Sequence, residues 1–421
     1  MSSIFKENEE EIRKREMESL DFTSLLEKGI KTCHLDSDLE LLLYDISDAI
    51  KESQILLVEA KKGREEAYLI PLLLAYQNTT FFNRFIIATA SSTARENIIQ
   101  KLQQISKLLG VDIPIHVLEN ERKYICLKRL KGYNQKRKKK LSSSKPNSIK
   151  KEEWRKIQVR TCTLSSCSFF KKCKYALAYT SISQKGCSII SHATLIGNRR
   201  FLQNSRTHGE SDIIIIDEAD SFTNNIRDSY QQIMSYDYIC NCFSRAKQLL
   251  NRTEYSYIEN RHFNELQHFF EELSTCERGL HWHSTEELQN SARKLAEISK
   301  RILIHLTRQY AVKHFSKETE QFCEMILIIE KFFEDMANQQ EYHFQLQEKE
   351  RSKNTPNYRK VQVFYYPKQV NSIIANSLKK VGGSIVFTGN HIAGDNDYQL
   401  LINDCGLEEI DKPKVKEFVV K

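Results

Sequence analysis

Two acidic residues, Asp217 and Glu218, follow a run of four isoleucines at positions 213–216. Four residues are too few for an ordinary helix, and β-branched side chains favour a strand buried on both faces of a parallel sheet. Open α/β sheets bind ligands at the carboxyl ends of such strands. In a nucleotide hydrolase, the first carboxylate holds the Mg²⁺ of ATP and the next orients or deprotonates the attacking water. The same residues also fit a buried strand that ends in a solvated turn.

Four cysteines form a second candidate site. They are Cys126, Cys162, Cys167 and Cys173, and the last three have the spacing C-x₄-C-x₅-C. Four thiolates can close a tetrahedral zinc site or hold a [4Fe-4S] cluster. Structural zinc usually takes tighter pairs of cysteines, whereas a larger cluster tolerates wide spacing and a distant fourth ligand. From the spacing alone, zinc, an iron–sulfur cluster and unligated thiols are equally open.

A basic, low-complexity segment separates Cys126 from the other three cysteines. It contains Tyr133 and five consecutive basic residues at positions 136–140, followed by serines. The composition predicts a flexible loop. Beside a metal module, such a loop suits contact with a nucleic-acid backbone, and it equally fits a solvated excursion.

The elements that would position these residues alternate between strand and helix patterns. Strands are predicted near residues 54–60, 84–90, 186–192, 212–216 and 384–388, with helices at 38–52, 67–76 and 94–109. Alternation at this spacing predicts βαβ units and a mixed α/β fold with a parallel sheet. The pattern is interrupted at about 118–185 and 225–365, and residues 228–350 read as almost wholly helical. His192, just past one strand end, is interpreted as a packed or hydrogen-bonded residue.

Composition sets the protein class. The 421 residues can hold several domains, and a net charge of +8 permits a polyanionic partner without requiring one. No apolar run is long enough to span a membrane, and the N-terminus has no hydrophobic signal core, so we expect a cytoplasmic protein with no membrane partner. Eleven cysteines in a large chain without a signal segment indicate free thiols or metal ligands rather than disulfides.

Several of these segments together resemble the DinG branch of the XPD-like iron–sulfur DNA helicases of superfamily 2. Residues 58–60 and 67–71 resemble the flanks of the family's phosphate loop, and residues 89–97 resemble motif Ia. The four cysteines resemble the cluster ligands in order and spacing, and residues 217–220 resemble motif II, the DEAD-box-type motif. The resemblance covers most of the chain.

The resemblance implies an ATP-dependent 5′→3′ DNA helicase ancestry. It predicts a RecA-like lobe formed by residues 1–117, 186–224 and 366–421. Residues 118–185 would then be an iron–sulfur insertion with the basic loop, and residues 225–365 a helical arch domain. In the family, these parts frame a pore for single-stranded DNA.

The phosphate loop departs from the family pattern. A P-loop of the form G-x-x-x-x-G-K-[ST] uses glycines to turn, backbone N–H groups to cradle phosphate, and Lys and a hydroxyl to bind phosphate and Mg²⁺. Only six residues separate Ala60 from Ala67, and they begin Lys61, Lys62, Gly63, Arg64. The next two, Glu65 and Glu66, stand where the lysine and hydroxyl should be, and they would repel a triphosphate. ATP and Mg²⁺ binding is therefore doubtful, and Asp217 and Glu218 are expected to be vestigial.

Other positions agree with a loss of ATP chemistry. Motif III reads Thr388-Gly389-Asn390-His391 instead of small residues, and the chain stops at Lys421, before a second motor lobe. Three hypotheses follow. The protein is a helicase-like module that binds single-stranded DNA without productive ATP hydrolysis, or one half of a split helicase whose second lobe is a separate chain. In the third, the cysteines hold zinc and the protein is an interaction scaffold.

Overall fold

The computed structural model gives the positions of most of the chain. The described residues are 22–33, 35, 37–77, 84–135, 149–159, 167–197, 213–250, 259–276, 285–311, 317–338, 342–348, 355–381, 383–393, 398–410 and 416–420. The chain divides into two compact units, Met1–Ile226 with Val370–Lys421, and Arg227–Gln369. None of the described helices is both long and apolar enough to cross a membrane.

A seven-stranded sheet forms the centre of the first unit. Its strands are β1 (Ile55–Ala60), β2 (Arg84–Thr89), β3 (Ile115–Val117), β4 (Gly186–Ser191), β5 (Ile213–Asp217), β9 (Ile385–Gly389) and β10 (Lys416–Val420). They lie in the order β10-β1-β9-β5-β2-β4-β3, and every neighbouring pair is parallel. The predicted mixed α/β fold with a parallel sheet is confirmed.

Helices connect these strands. They are α1 (22–33), α2 (Ser37–Lys51), α3 (Arg64–Gln77), α4 (Ser92–Leu109), α5 (Leu127–Gln135), α6 (Lys151–Ile157), α7 (Lys174–Ser181), α8 (His192–Gly197), α9 (Phe222–Ser229), α15 (Asn371–Leu378) and α16 (Gln399–Cys405). The four isoleucines of β5 are at most 2% exposed, because β2 and β9 flank them in the sheet and helices cover its faces. This buried run ends at Asp217 and so fixes where the first carboxylate lies.

The second unit combines helices with a small antiparallel sheet. Its helices are α10 (Tyr236–Leu249), α11 (Glu259–Thr275), α12 (Glu286–Ala311), α13 (Lys317–Asn338) and α14 (Asn357–Lys360). Its strands are β6 (Gln232–Ser235), β7 (Tyr342–Glu348) and β8 (Val361–Pro367), in the order β6-β8-β7. The core is rich in aromatic rings, which include Phe269, Phe332, Phe333, Phe344 and Tyr365.

The expectation that residues 228–350 are almost wholly helical is wrong at both ends. Strand β6 lies near its start and β7 near its end, and both pair with β8. In β7, the buried side chains Phe344 and Leu346 alternate with polar glutamines, which is the period of a strand. The run follows long amphipathic helices, so its period-two pattern is easily read as a helix end.

Candidate functional site

Three strand ends meet at the carboxyl edge of the parallel sheet. Strand β9 lies between β1 and β5, with Gly389 opposite Glu59 and Thr388 opposite Asp217. The turn after β1, the end of β5 and the residues after β9 therefore lie side by side. In open α/β sheets this edge is where ligands bind.

Arg64, the first residue of α3, reaches across this edge to Asp217. Its Nε atom lies 3.0 Å from Asp217 Oδ1, and its Nη1 atom donates a hydrogen bond of 2.7 Å to Asn390 Oδ1. Arg64 is 7% exposed and Asp217 is 1% exposed. The first carboxylate of the predicted hydrolase site is thus buried and paired with a basic side chain of the same protein.

The contact between Arg64 and Asp217 is close but poorly aligned. Neither Arg64 Nε nor Asp217 Oδ1 makes a hydrogen bond of good geometry, although the two atoms are within ion-pair distance. Burial raises the pKa of Asp217 to about 7; Arg64 lowers it, while Glu65 and Glu218 raise it. The guanidinium therefore only partly offsets the cost of placing a carboxylate away from water.

The turn between β1 and α3 is short and tightly enclosed. It consists of Lys61, Lys62 and Gly63, and both lysines are exposed, away from the buried pair. Gly63 has a φ of +66°, and a Cβ atom there would lie 2.3 Å from Leu39 Cδ1. The backbone thus turns straight into α3 without the extended loop of amides that a phosphate group needs.

The first turn of α3 carries its own anions. Glu65 and Glu66 lie at the helix N-terminus, where their charges are stabilised by the helix dipole. Lys101 of α4 pairs with both of them: its Nζ atom is 3.7 Å from Glu65 Oε2 and makes a closer contact with Glu66 Oε1. The positive end of the helix is therefore already occupied by carboxylates, and a basic side chain balances them.

The turn that follows Asp217 is constrained. Glu218 adopts a left-handed conformation with φ of +55°, and its Oε2 atom is buried with no hydrogen-bond partner among the described residues. A Cβ atom on Gly389 would lie 3.0 Å from Asp220 Oδ1 and 2.5 Å from Ile392 Cγ2. Only a glycine lets β9 pass this closely to the acidic turn.

His192 forms a hydrogen bond with the backbone of Asp217, at the start of the acidic turn. One ring nitrogen, Nε2, lies 2.7 Å from the carbonyl oxygen of Asp217, and the other, Nδ1, lies 3.1 Å from Asn225 Nδ2. A carbonyl only accepts and an amide nitrogen only donates, so the ring is neutral with its proton on Nε2. Burial lowers the pKa of His192 to about 4. The interpretation of His192 as a packed, hydrogen-bonded residue agrees with this geometry.

These residues do not fit ATP and Mg²⁺. Phosphate would meet two glutamates at the start of α3 and a turn with one glycine. The carboxylate that would bind the metal ion faces Arg64 instead, and a guanidinium next to it opposes a second cation by charge repulsion. The site is a closed internal ion pair, and we assign it no nucleotide step.

The cysteines lie in another part of the first unit. Cys126 is half-buried, and its N–H donates to the carbonyl oxygen of Ile157 at 2.8 Å, next to a bridge between Ile125 and Gln158. Cys167 is half-buried and Cys173 is buried, directly before α7. Cys162 lies outside the described residues. The three described sulfurs do not all lie within 4.8 Å of one another.

Aromatic residues join the two cysteine segments. Tyr124, two residues before Cys126, contacts Tyr175, two residues after Cys173, with ring centroids 5.4 Å apart in an edge-to-face arrangement. The segments that carry the first and last predicted ligands therefore adjoin, although they are about 50 positions apart in the sequence.

Sequence reasoning misses two side chains that contact the predicted site residues, Asn390 and Lys101. In the sequence, Asn390 stands out only as a departure from motif III, and Lys101 does not stand out at all. The signal for Asn390 is its place directly after a strand whose neighbour ends in carboxylates. Lys101 has no such signal, because it lies in the middle of an amphipathic helix, and only the packing of α4 beside α3 brings it to the glutamates.

Comparison with solved structures gives a number of matches. No protein-family model matches the sequence, and the search of curated proteins gives no match. Among solved structures, a chain described as an XPD helicase is 12% identical, with a TM-score of 0.45 over 92% of this chain. The present chain spans 62% of the length of that helicase chain. A likeness of this degree assigns no chemistry to any residue.

Proposed function

We propose that this protein is a DinG/XPD-like relative of ATP-dependent DNA helicases that binds single-stranded DNA and does not itself hydrolyse ATP. The buried pair of Arg64 and Asp217 carries the proposal. It places a protein cation where the hydrolase would need phosphate and Mg²⁺, at the carboxyl edge of the sheet. In this proposal the first unit is a RecA-like lobe with a cluster-binding insertion, and the second unit is the arch.

We assign Cys126, Cys162, Cys167 and Cys173 to a [4Fe-4S] cluster. Sulfurs bound to one zinc ion lie about 3.8 Å apart, given Zn–S bonds of about 2.3 Å in a tetrahedron. The three described sulfurs are not all that close, while their segments adjoin through Tyr124 and Tyr175. The support for the larger cluster is the wide C-x₄-C-x₅-C spacing with a distant fourth cysteine, together with the adjoining segments. When bound, the cluster would tie the two segments together.

The proposal that the protein binds single-stranded DNA is supported by the basic and aromatic side chains around Cys173. Lys171, Lys172 and Lys174 are exposed and flank the buried cysteine, and the half-buried rings of Tyr175 and Tyr179 follow on α7. Surfaces that bind single strands usually combine two features. Basic side chains lie along the phosphate backbone, and aromatic rings stack on the bases.

The deciding experiment measures ATP binding and phosphate release with Mg²⁺ and single-stranded DNA. We expect the full-length protein, purified anaerobically, to be brown and to bind DNA. Phosphate release should not exceed that of a variant with Asp217→Asn and Glu218→Gln, which serves as the control for contaminating ATPases. Turnover that this double variant abolishes would contradict the proposal.

The DNA surface is tested separately. Replacing Lys171, Lys172 and Lys174 by alanine should weaken binding and reduce the salt slope by about 2, since each phosphate that a lysine neutralises contributes about 0.7 to that slope. A control triple variant, Lys28→Ala with Lys31→Ala and Lys107→Ala, removes the same charge from exposed positions elsewhere. Equally weakened binding in both variants would argue against a binding surface at α7.

The other two hypotheses predict different results from the same measurements. DNA-stimulated ATPase that appears only with a second chain would favour a split helicase. A colourless protein with stoichiometric zinc and no affinity for single-stranded DNA would favour an interaction scaffold.

A further inference from the structure

Three side chains of the second unit converge where α11 and α12 pack together. His268 and Glu272 lie one turn apart on α11, and Glu287 lies in the first turn of α12. One ligand atom of each residue lies within 4.8 Å of the other two, and His268 Nδ1 is 3.5 Å from Glu272 Oε1. Within the described part of the chain, no other group of three histidine, cysteine or acidic residues meets this distance.

Buried neighbours hold the three residues in place. Phe269 and Leu273 flank the ligands on α11, and Leu288 follows Glu287 on α12; each is at most 1% exposed. The start of α12 is capped by Thr285, whose hydroxyl accepts a hydrogen bond of 3.2 Å from the N–H of Leu288. The cluster thus stands on two packed helices, which position side chains more accurately than loops.

The charges at this place call for a cation. The last turn of α11 has no basic residue, and a carboxylate near a helix C-terminus is destabilised by the helix dipole. Glu287 adds a second negative charge from α12. Ligand oxygens of Glu272 and Glu287 lie within 4.8 Å of each other, so the two ionised carboxylates repel unless a proton or a cation lies between them. The nearby Lys294 lies 3.1 Å from Glu265, which also accepts a hydrogen bond from Ser291, so this lysine is already engaged.

We propose that His268, Glu272 and Glu287 bind a divalent transition-metal cation of the Mn²⁺ to Zn²⁺ series. One imidazole and two carboxylates suit this class of ion, since imidazole favours Zn²⁺ and Fe²⁺ and carboxylates favour Mn²⁺. His268 and Glu287 are exposed, so solvent can reach the remaining coordination positions. The ion joins α11 to α12 and is independent of the nucleotide and cysteine sites.

Mn²⁺ binding to the chelator-treated full-length protein tests this site. Thiolates bind Mn²⁺ poorly, so the cysteines do not interfere. We expect one tightly bound Mn²⁺ per chain in electron paramagnetic resonance titrations. His268→Ala and Glu287→Gln should each weaken it at least about tenfold, since even the loss of an outer contact costs that much. Bound metal should also raise the unfolding temperature of the wild-type protein but not of these variants.

Two controls locate the ion. Glu297→Gln removes an exposed carboxylate from α12 that pairs with Arg301, and it should leave Mn²⁺ affinity unchanged. Asp217→Asn should also leave the Mn²⁺ affinity unchanged. This result would show that the ion does not bind at the acidic turn after β5. Affinity that is equal in the wild-type, His268→Ala and Glu287→Gln proteins would overturn the proposal. So would the absence of saturable Mn²⁺ and Zn²⁺ binding by the wild-type protein.

Discussion

Arg64 faces a carboxyl group that is almost completely buried. A buried ion pair is weak support for stability as a whole, because both charges lose their hydration, but removing one partner leaves the other charge uncompensated. Asp217 and Arg64 are both more than nine-tenths buried, and Asn390 holds the far side of the guanidinium. The role of Arg64 is therefore best revealed by changing it alone and then together with its partner.

We expect Arg64→Met to destabilise the protein by about 3–5 kcal/mol at pH 8, where Asp217 is ionised, and by less at pH 6. The double variant with Asp217→Asn should recover most of this loss, because no charge then remains buried. Urea unfolding of the single and double variants measures both effects. An Arg64→Met protein as stable as the wild type at both pH values would show that the pair is unimportant.

Folding shifts the pKa values of His192 and Asp217 in opposite directions, so the two groups have opposite effects on stability over the same pH range. The pKa of Asp217 rises from 3.8 to about 7 on folding, so its contribution to stability is complete below pH 3.8 and is lost as the pH rises through 7. The pKa of His192 falls from 6.5 to about 4, so its contribution is complete above pH 6.5 and is lost as the pH falls to 4. Between pH 4 and 6.5 the folded state gains one proton at Asp217 and lacks one at His192, and the two effects nearly cancel.

Removing either titrating group should reveal the pH dependence that the other group gives to the unfolding free energy. Relative to the wild type, the unfolding free energy of Asp217→Asn should rise with pH between about 4.5 and 6.5, by up to about 1.4 kcal/mol per pH unit. That of His192→Gln, whose amide can replace the Nε2 donor, should fall over the same range. Chemical unfolding at half-unit pH steps gives both slopes. Parallel profiles for the three proteins would mean that neither group has a shifted pKa.

At the scale of elements, Gly63 sets how α3 leaves β1. Its positive φ favours glycine, and the space next to its Cα is filled by Leu39 of α2. These two constraints have different origins, since one is backbone conformation and the other is packing. They can be separated experimentally.

Gly63→Ala should destabilise the protein by roughly 1–3 kcal/mol through backbone strain and the contact with Leu39. Adding Leu39→Ala should relieve the contact but not the strain, so the second substitution should cost less in the Gly63→Ala background than alone. Gly132→Ala, in helix α5 with nothing within 4 Å of the added methyl group, is the control and should be neutral or slightly stabilising. Additive effects of the first two changes would disprove the clash.

Five of the seven strands of the large sheet were predicted from their residues, whereas β3 and β10 were not. Runs such as Ile213–Ile216 are uniformly β-branched and end in polar residues, and burial on both faces requires such runs. Strands β6 and β7 of the second unit were not predicted, because β6 has only four residues and the alternation in β7 comes after long helical patterns. The partner of β6, strand β8, lies more than 120 positions later in the sequence, and such distant pairing leaves no local signal.

The candidate site was predicted only in part, because some of its features are local in the sequence and others depend on the order of the strands. The short turn and its glutamates are visible in the sequence, and the unsuitability for phosphate follows from them. The contact of Arg64 with Asp217 and Asn390 depends on β9 inserting between β1 and β5, although β9 lies more than 300 positions after β1. No local pattern specifies that order of strands.

At the scale of the molecule, each unit has its own hydrophobic core. The core of the first surrounds the parallel sheet, and that of the second is built on aromatic rings such as Phe332, which is fully buried. Compact units with separate cores can unfold in separate steps, so one unfolding temperature need not describe the protein.

Phe332→Ala should lower the unfolding temperature of the second unit only. Removal of the ring and the cavity that it leaves should cost about 3–5 kcal/mol. Leu327→Ala, on the same helix α13 but 52% exposed, is the control and should change stability by no more than about 0.5 kcal/mol. Calorimetry should show two transitions, of which Phe332→Ala shifts one. A single transition that moves as a whole would show that the two units unfold together.

The brevity of the connection from Ala60 to Arg64 limits whether directed evolution could give this protein nucleotide turnover. Its three residues, Lys61 to Gly63, supply too few peptide N–H groups to wrap around a phosphate, whatever side chains they carry. Libraries built from codon replacements alone, including Arg64→Lys, should therefore never produce nucleotide turnover. Only designs that lengthen the backbone at this point, and at the same time remove the arginine from Asp217, have the geometry to do so.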